Sequence, residues 1–250
     1  MTITHQDELD GLRKIGRIVA NTMHSMAAAM EPGMTTRELD SIGHELLERE
    51  GAVSAPQATY GFPGTTCISV NEEIAHGIPG ERRLAAGDLV NIDVSASLNG
   101  YFADTGASFC LVSVPPSLDQ LCRDGKRAMQ IGIAQVGHDK PLAGIGNAIG
   151  AFASKRGYTL IKNLASHGVG KALHEAPEEV PTWPTKGDKR RMHNGLVLTV
   201  EPFLSRGGRW ATSATGDDWT LFSEPAAPVV QYEHTVVATR RGAIVVTLPG

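Results

Sequence analysis

Four acidic residues stand inside apolar, strand-like stretches of this sequence. Asp93 sits in Leu-Val-Asn-Ile-Asp-Val and Glu201 ends Leu-Val-Leu-Thr-Val-Glu. Glu233 lies between Val229-Val230 and Val236-Val237, and Asp104 is on the strand that follows an Asn-Gly turn. A carboxylate in such a setting is costly unless it is paired or bound to a metal. The plainer reading is a solvated sheet face, which is common in antiparallel sheets. It explains Asp93 and Asp104 alone more readily than it explains four acids together. His167 precedes Gly168 and Gly170, where small residues let a backbone approach a ligand. A single histidine, taken alone, is as readily a satisfied core or surface residue. Four carboxylates and one imidazole make a hard, oxygen-rich donor set, suited to Mn, Fe, Co or Zn and unsuited to Cu(I) or an iron–sulfur cluster.

The hairpin around Asn99-Gly100 can be worked out from its turn. Asn-Gly favours a two-residue type I′ turn, so Leu98 faces Tyr101. Ser95 then faces Asp104, and Asp93 faces Gly106. Side chains alternate along a strand, which puts Asp93 and Asp104 on one face as diagonal neighbours, roughly 7–8 Å apart at the backbone. A bulge near Gly106 would shift this register. Two carboxylates so placed can grip ions about 3.5–4 Å apart, the spacing of two-metal hydrolytic sites.

The elements that must carry these residues follow from periodicity. Leu12, Ile15, Ile18, Val19, Met23, Met26 and Ala27 have helical spacing, which predicts a helix from Asp7 to about Met30, ended by Pro32-Gly33. Thr35 with Glu38 three residues on is a capping box that opens a second helix, to about Glu50. Short strands and turns are expected over 66–78, then strands Leu89–Leu98 and Tyr101–Leu111. Helices about Ser117–Val136 and Leu142–Arg156 follow the Pro115-Pro116 midpoint. Irregular loops are expected at 177–193 and 205–218, with strands at Gly195–Pro202, 228–239 and 243–248. The order helix, helix, strands occurs twice. A faint echo supports it: His76-Gly77-Ile78 resembles His167-Gly168-Val169, and the stretch Gly87 to Asp93 resembles Gly195 to Glu201. The expectation is an α+β fold with two pseudo-symmetric halves, about 1–114 and 115–250, within one catalytic domain.

The 250 residues are 41% hydrophobic, enough for a sizeable core, and the net charge is −4 with basic residues dispersed, so no nucleic-acid footprint stands out. The cluster Lys186–Arg191 reads as a solvated loop. Three cysteines, Cys67, Cys110 and Cys122, give neither a disulfide framework nor a Cys-x-x-Cys zinc pattern and fit a reducing compartment. The polar N-terminus is no secretory signal, and no apolar run reaches the ~18 residues of a membrane helix.

Together, Asn71-Glu-Glu-Ile-Ala-His76-Gly-Ile-Pro79, the Asp93/Asp104 pair, Ser166-His167-Gly-Val-Gly with His174-Glu-Ala-Pro, Val200-Glu201-Pro and Gln231-Tyr-Glu233-His-Thr235 resemble type 1 methionine aminopeptidase. The resemblance runs from the first helix to about residue 248. It implies the pita-bread fold, two αβ halves with antiparallel sheet around a central dinuclear metal site. It implies two divalent ions per chain, with Asp93 bidentate on one, Asp104 and Glu233 bridging, and His167 and Glu201 on the other. By the same likeness His76 lies near the scissile amide, His174 contacts the substrate carbonyl, and Phe62, Cys67 and Trp219 form the methionine pocket. Glu201 is the implied proton carrier while a metal-bridged hydroxide attacks the first peptide carbonyl. The implied reaction is removal of initiator methionine when the second residue is small.

The implied partner is the N-terminal peptide of nascent proteins, met near the ribosome, with no nucleic acid or membrane involved. A cytoplasmic monomer of the minimal bacterial type is expected. Ser166, Leu173, Gly64-Thr65-Thr66 and the 179–191 loop depart from the family pattern; they bear on substrate range, since all five ligands are kept. The rivals are a prolidase or aminopeptidase P, which usually carry a sizeable N-terminal domain, and a non-catalytic binding module, which typically loses ligands.

Overall fold

The computed structural model describes residues 1–213 and 216–250. Helix α1 (Gln6–Ala29) opens the chain, and Thr35 then caps α2 (Thr36–Arg49), with its side chain accepting from the Glu38 backbone and Glu38 reaching back to Thr35. Strand β1 (Val53–Ser54) leads into a short helix α3 (Ala55–Tyr60), followed by β2 (Cys67–Val70), β3 (Glu73–Ala75), β4 (Leu89–Leu98) and β5 (Tyr101–Cys110). After α4 (Pro116–Ile133) and α5 (Ala143–Lys155) come β6 (Thr159–Leu160), β7 (Ser166–Gly168), β8 (Glu175–Val180), β9 (Val197–Val200) and β10 (Phe203–Ser205). The chain ends with β11 (Trp210–Ser213), β12 (Leu221–Glu224), β13 (Val229–Gln231), β14 (His234–Thr239) and β15 (Gly242–Val245).

The long helices lie close to the periodic segments of the sequence, because each presents an apolar stripe that a sheet can cover. Other expectations are corrected. Residues 55–60 form α3, where Ser54 caps the first turn and Gly61 in the left-handed region ends it. The first part of the expected 177–193 loop belongs to β8, an edge strand whose charges face outward. The expected 205–218 loop contains β11, which pairs with β12, a strand absent from the sequence reading. Positions 214 and 215 of that loop lie outside the described residues. The expected strand 228–239 is broken at Tyr232-Glu233.

Two antiparallel sheets position the acids. In one, β4 is flanked by β1, β2 and β5; in the other, the order is β15-β14-β9-β7-β8. The β4/β5 register matches the turn-based count throughout: Leu98 pairs with Tyr101, Ser95 with Asp104 and Asp93 with Gly106. Asn99 and Gly100 both have positive φ, 52° and 78°, as a type I′ turn requires. Alternation does the sorting. Val90, Ile92, Val94 and Ala96 enter a core with Leu12, Ile15 and Val19 of α1, which leaves Asp93 and Ser95 on the other face. A second core packs Leu121 and Met129 of α4 and Ile145 of α5 against Leu198, Val200 and Val236.

The sheets meet at a seam. Glu233 N–H donates to the Gly106 carbonyl (2.8 Å), and Thr105 Oγ1 donates to the Glu233 carbonyl (2.9 Å). Asp104 N–H donates to Thr235 Oγ1 (2.9 Å), whose own hydroxyl donates back to the Asp104 carbonyl (2.8 Å). The break between β13 and β14 therefore lies directly against the strand that carries Asp104.

Candidate metal centre

At this seam the structure gathers acids that are far apart in sequence. Asp104, His167 and Glu233, exposed by 7%, 5% and 2%, offer ligand atoms that all lie within 4.8 Å of one another. Glu201 adjoins them, with Oε1 3.4 Å from His167 Nε2. Gln231 Nε2 donates to Glu233 Oε2 (2.9 Å) and Asp93 Oδ2 (3.3 Å), bringing Asp93 into the same cluster. All five residues line or floor a cavity of about 390 Å³.

The electrostatics are those of negative charges confined without counter-charge. Burial raises Asp93 well above the usual carboxylate range, and the neighbouring Asp104 and Glu201 add to it. Burial likewise lifts Glu201 and Glu233 well above that range, with Asp104 the foremost charge acting on both. Asp104 is pushed by burial to about 6. Burial holds His167 down at about 3, so the ring is neutral near pH 7. Its Nδ1–H, placed to donate to the Gly168 carbonyl (3.0 Å), leaves Nε2 as a bare lone pair facing the acids.

A divalent cation fits this donor set. Asp104 Oδ1 and Glu233 Oε1 are buried acceptors with no hydrogen-bond partner. Such groups are rare in folded proteins and mark a missing donor or ion. Oxygen ligands with one imidazole suit Mn, Fe, Co or Zn.

Several supporting residues carried no sequence signal. Gln231 is held in turn by Asn91, whose Nδ2 donates to Gln231 Oε1 (2.8 Å). The amide fills the space where a Gly106 side chain would stand, so that position is closed to any other residue. Thr199 relays between two of the five: the His167 N–H donates to Thr199 Oγ1 (3.0 Å), which donates to Glu201 Oε1 (2.8 Å). Ser166 Oγ accepts from the Glu201 backbone N–H (2.9 Å). This departure from the family pattern thus anchors the strand that ends at Glu201. Another departure, Thr65-Thr66, ties its loop to α2 through Asp40, which accepts from both backbone N–H groups (3.0 and 2.8 Å).

The remaining expected residues line the same cavity. His76 has positive φ, 53°, and the next residue, Gly77, passes so close to the Ile68 carbonyl that no side chain fits there. His174 stacks obliquely on His167 with centroids 4.0 Å apart. Burial, and for His174 the neighbouring His76, lowers both imidazole pKa values. Tyr60 Oη and His174 Nδ1 are 2.7 Å apart, a pairing not anticipated from sequence. Phe62 and Trp219 meet edge to face at 5.3 Å, and Cys67 and Leu173 are buried beside them. One end of the cavity is therefore acidic and the other apolar.

Comparison with known proteins decides the family. Residues 10–240 match the model of metallopeptidase family M24. The chain belongs to that family. It is 45% identical over 248 residues to "Methionine aminopeptidase 2" of Bacillus subtilis, covering 99% of each chain. It is 44% identical to the methionine aminopeptidase of Staphylococcus epidermidis, covering 99% of this chain and 98% of that one. The crystal structure of methionine aminopeptidase from Rickettsia prowazekii superposes with a TM-score of 0.94 at 30% identity, covering 99% of this chain and 100% of that one. The fold is accordingly the pita-bread fold of M24 peptidases.

Two outcomes follow from this geometry. In chelator-treated protein the folded state keeps protons on Asp93, Glu201 and Glu233 that the unfolded chain has lost, so stability falls as pH rises. His167, about 3 when folded and near 6.5 when unfolded, acts in the opposite sense but only below about pH 6.5. Urea unfolding of the stripped protein should therefore show a midpoint that drops from about pH 6.5 to 8.5, and a much flatter profile with metal restored. Equal pH slopes with and without metal would contradict the charge balance drawn here. Gln231→Leu removes the amide that aligns two carboxylates and should weaken metal affinity about 10–100-fold. Competition with a chelating dye reads this directly, and unchanged affinity would remove Gln231 from the supporting set.

Proposed function

We infer that this chain is a methionine aminopeptidase, which takes the initiator methionine from nascent proteins whose second residue is small. The observation that carries the reading is one cavity with an acidic, imidazole-bearing end and an apolar end. Full-length relatives that bear this name support the methionine specificity. The chain acts as one catalytic unit, with halves about 1–114 and 115–250; the repeated element order and the two large cores support this division.

Two divalent ions fit, with Asp93 bidentate on one, Asp104 and Glu233 between them, and His167 and Glu201 completing the other. Bound there, they supply Lewis acidity that makes hydroxide available near neutral pH. Glu201, oriented by Thr199, takes the proton from the attacking water and passes it to the leaving amine. With the Tyr60 hydroxyl donating to Nδ1, His174 carries its proton on Nε2 and can donate it to the carbonyl oxygen as charge develops, a contribution of roughly a few kcal/mol. His76 lies where the scissile amide and the substrate amine end meet the cavity wall. Phe62, Cys67 and Trp219 receive the methionine side chain, whose thioether suits an apolar pocket with aromatic edges. The acids around the free α-amine favour a chain end over an internal bond. The substrate is the N-terminal peptide of a nascent protein, met in the cytoplasm near the ribosome by a monomeric enzyme; no helix here is long and apolar enough to cross a membrane.

Glu201→Ala should lose hydrolysis of Met-Ala-Ser while its circular dichroism and melting stay those of a folded protein. The wild type should cleave Met-Ala-Ser, lose that activity to a chelator, and leave Ala-Pro and Gly-Pro substrates largely intact. Near wild-type turnover by Glu201→Ala with metal supplied would overturn the assignment, and preference for the Pro substrates would point to a prolidase-like enzyme.

A further inference from the structure

Away from the metal centre, two thiols lie in contact. Cys110 closes β5 and Cys122 lies in the first half of α4, and their Sγ atoms are 3.4 Å apart. The contact joins elements on either side of the 111–115 segment, where the chain passes from β5 to α4. The two sulfurs already touch, so the remaining approach to a bond length of about 2.05 Å is small enough for side-chain rotation. Cys110 is half-buried and open to a reagent, whereas Cys122 is buried behind it. The third cysteine, Cys67, lines the metal-centre cavity and belongs to a different site.

We propose that Cys110 and Cys122 are a dithiol modification site that reacts with low-molecular-weight disulfides and closes to an intramolecular disulfide, strapping the end of β5 to α4. The Cys110 thiolate attacks one sulfur of the reagent R–S–S–R. A Cys110–S–R bond forms, the reagent's S–S bond breaks, and the departing R–S⁻ takes up the proton that Cys110 lost. The Cys122 thiolate then attacks the Cys110 sulfur, the bond to R breaks, and a second R–S⁻ leaves and takes the Cys122 proton. Two protein thiols are oxidised and one small disulfide is reduced to two thiols.

The order of the steps follows from exposure, since the reagent reaches Cys110 first and the buried partner resolves it. The surroundings set the pace. Burial raises both thiols, Cys122 to about 12, and Asp119 raises them further, while the Tyr232 hydroxyl beside Cys122 works the other way. Thiolate is therefore scarce near neutral pH and exchange is slow there, quickening as pH rises. The strap would close beside a functional segment. Tyr232 Oη donates to the Ser108 carbonyl of β5 (2.7 Å), and Tyr232 directly precedes Glu233. The new bond would thus tie α4 to the strand and the break that carry Asp104 and Glu233.

The test uses the full-length, metal-loaded protein, incubated folded with oxidised glutathione at mildly alkaline pH, alkylated, and digested without reduction. Mass spectrometry is expected to show loss of two hydrogen atoms from the intact chain and a peptide linking Cys110 to Cys122, with Cys67 alkylated as a free thiol. Cys122→Ser, checked for folding by its melting curve, should stop at a glutathione adduct on Cys110. A wild type that stays fully reduced, or that accumulates glutathione adducts without the linked peptide, would overturn the proposal. The wild-type result stands without the variant, so a misfolded Cys122→Ser does not blunt the test.

Discussion

Four carboxylates buried around one seam set the terms for the rest of this structure. Two unit charges 4 Å apart repel by about 4 kcal/mol even at an effective dielectric of 20. Several such pairs would consume a stability of about 5–15 kcal/mol. The cluster of Asp93, Asp104, Glu201 and Glu233 can therefore be fully ionised only with positive charge among them. Protons serve in part, as the raised carboxyl pKa values indicate. Divalent cations serve better, and the unpartnered Asp104 Oδ1 and Glu233 Oε1 point where they would bind.

Much of the remaining architecture holds these charges in place. The apolar faces of β4 and β5 pack on α1, and β9 and β14 pack on α4 and α5, so the polar faces of the two sheets are turned towards each other. Backbone and threonine hydrogen bonds at 104–106 and 233–235 fix their separation. Behind the ligands, Gln231, Asn91, Thr199 and Ser166 fill the hydrogen-bonding needs of carboxylates and backbone that a core of apolar residues would leave unmet. Gly106 is as much a part of this support as any side chain, because the Gln231 amide occupies the space over it.

How far this was legible in the sequence depends on how local each signal is. The Asn-Gly turn determines the β4/β5 register by itself, so the shared face of Asp93 and Asp104 could be counted residue by residue. The capping box at Thr35 and the stripe along α1 are local in the same sense. The roles of Gln231 and Tyr60 were not readable, because each depends on a partner more than a hundred residues away. Strands β11 and β12 were missed because they are short and their exposed pattern lacks alternation. Glu233 was placed within a continuous strand, yet its position depends on a break that only the docking against Gly106 reveals. Five separated motifs carried the resemblance to the family more firmly than any single element carried the fold.

The most direct test of the central claim is anomalous diffraction from crystals of the full-length chain soaked in Mn²⁺. Two anomalous peaks among Asp93, Asp104, His167, Glu201 and Glu233 are expected, about 3.5–4 Å apart, with Asp104 and Glu233 touching both. No peak in the cluster at saturating Mn²⁺, or peaks only elsewhere on the molecule, would contradict it.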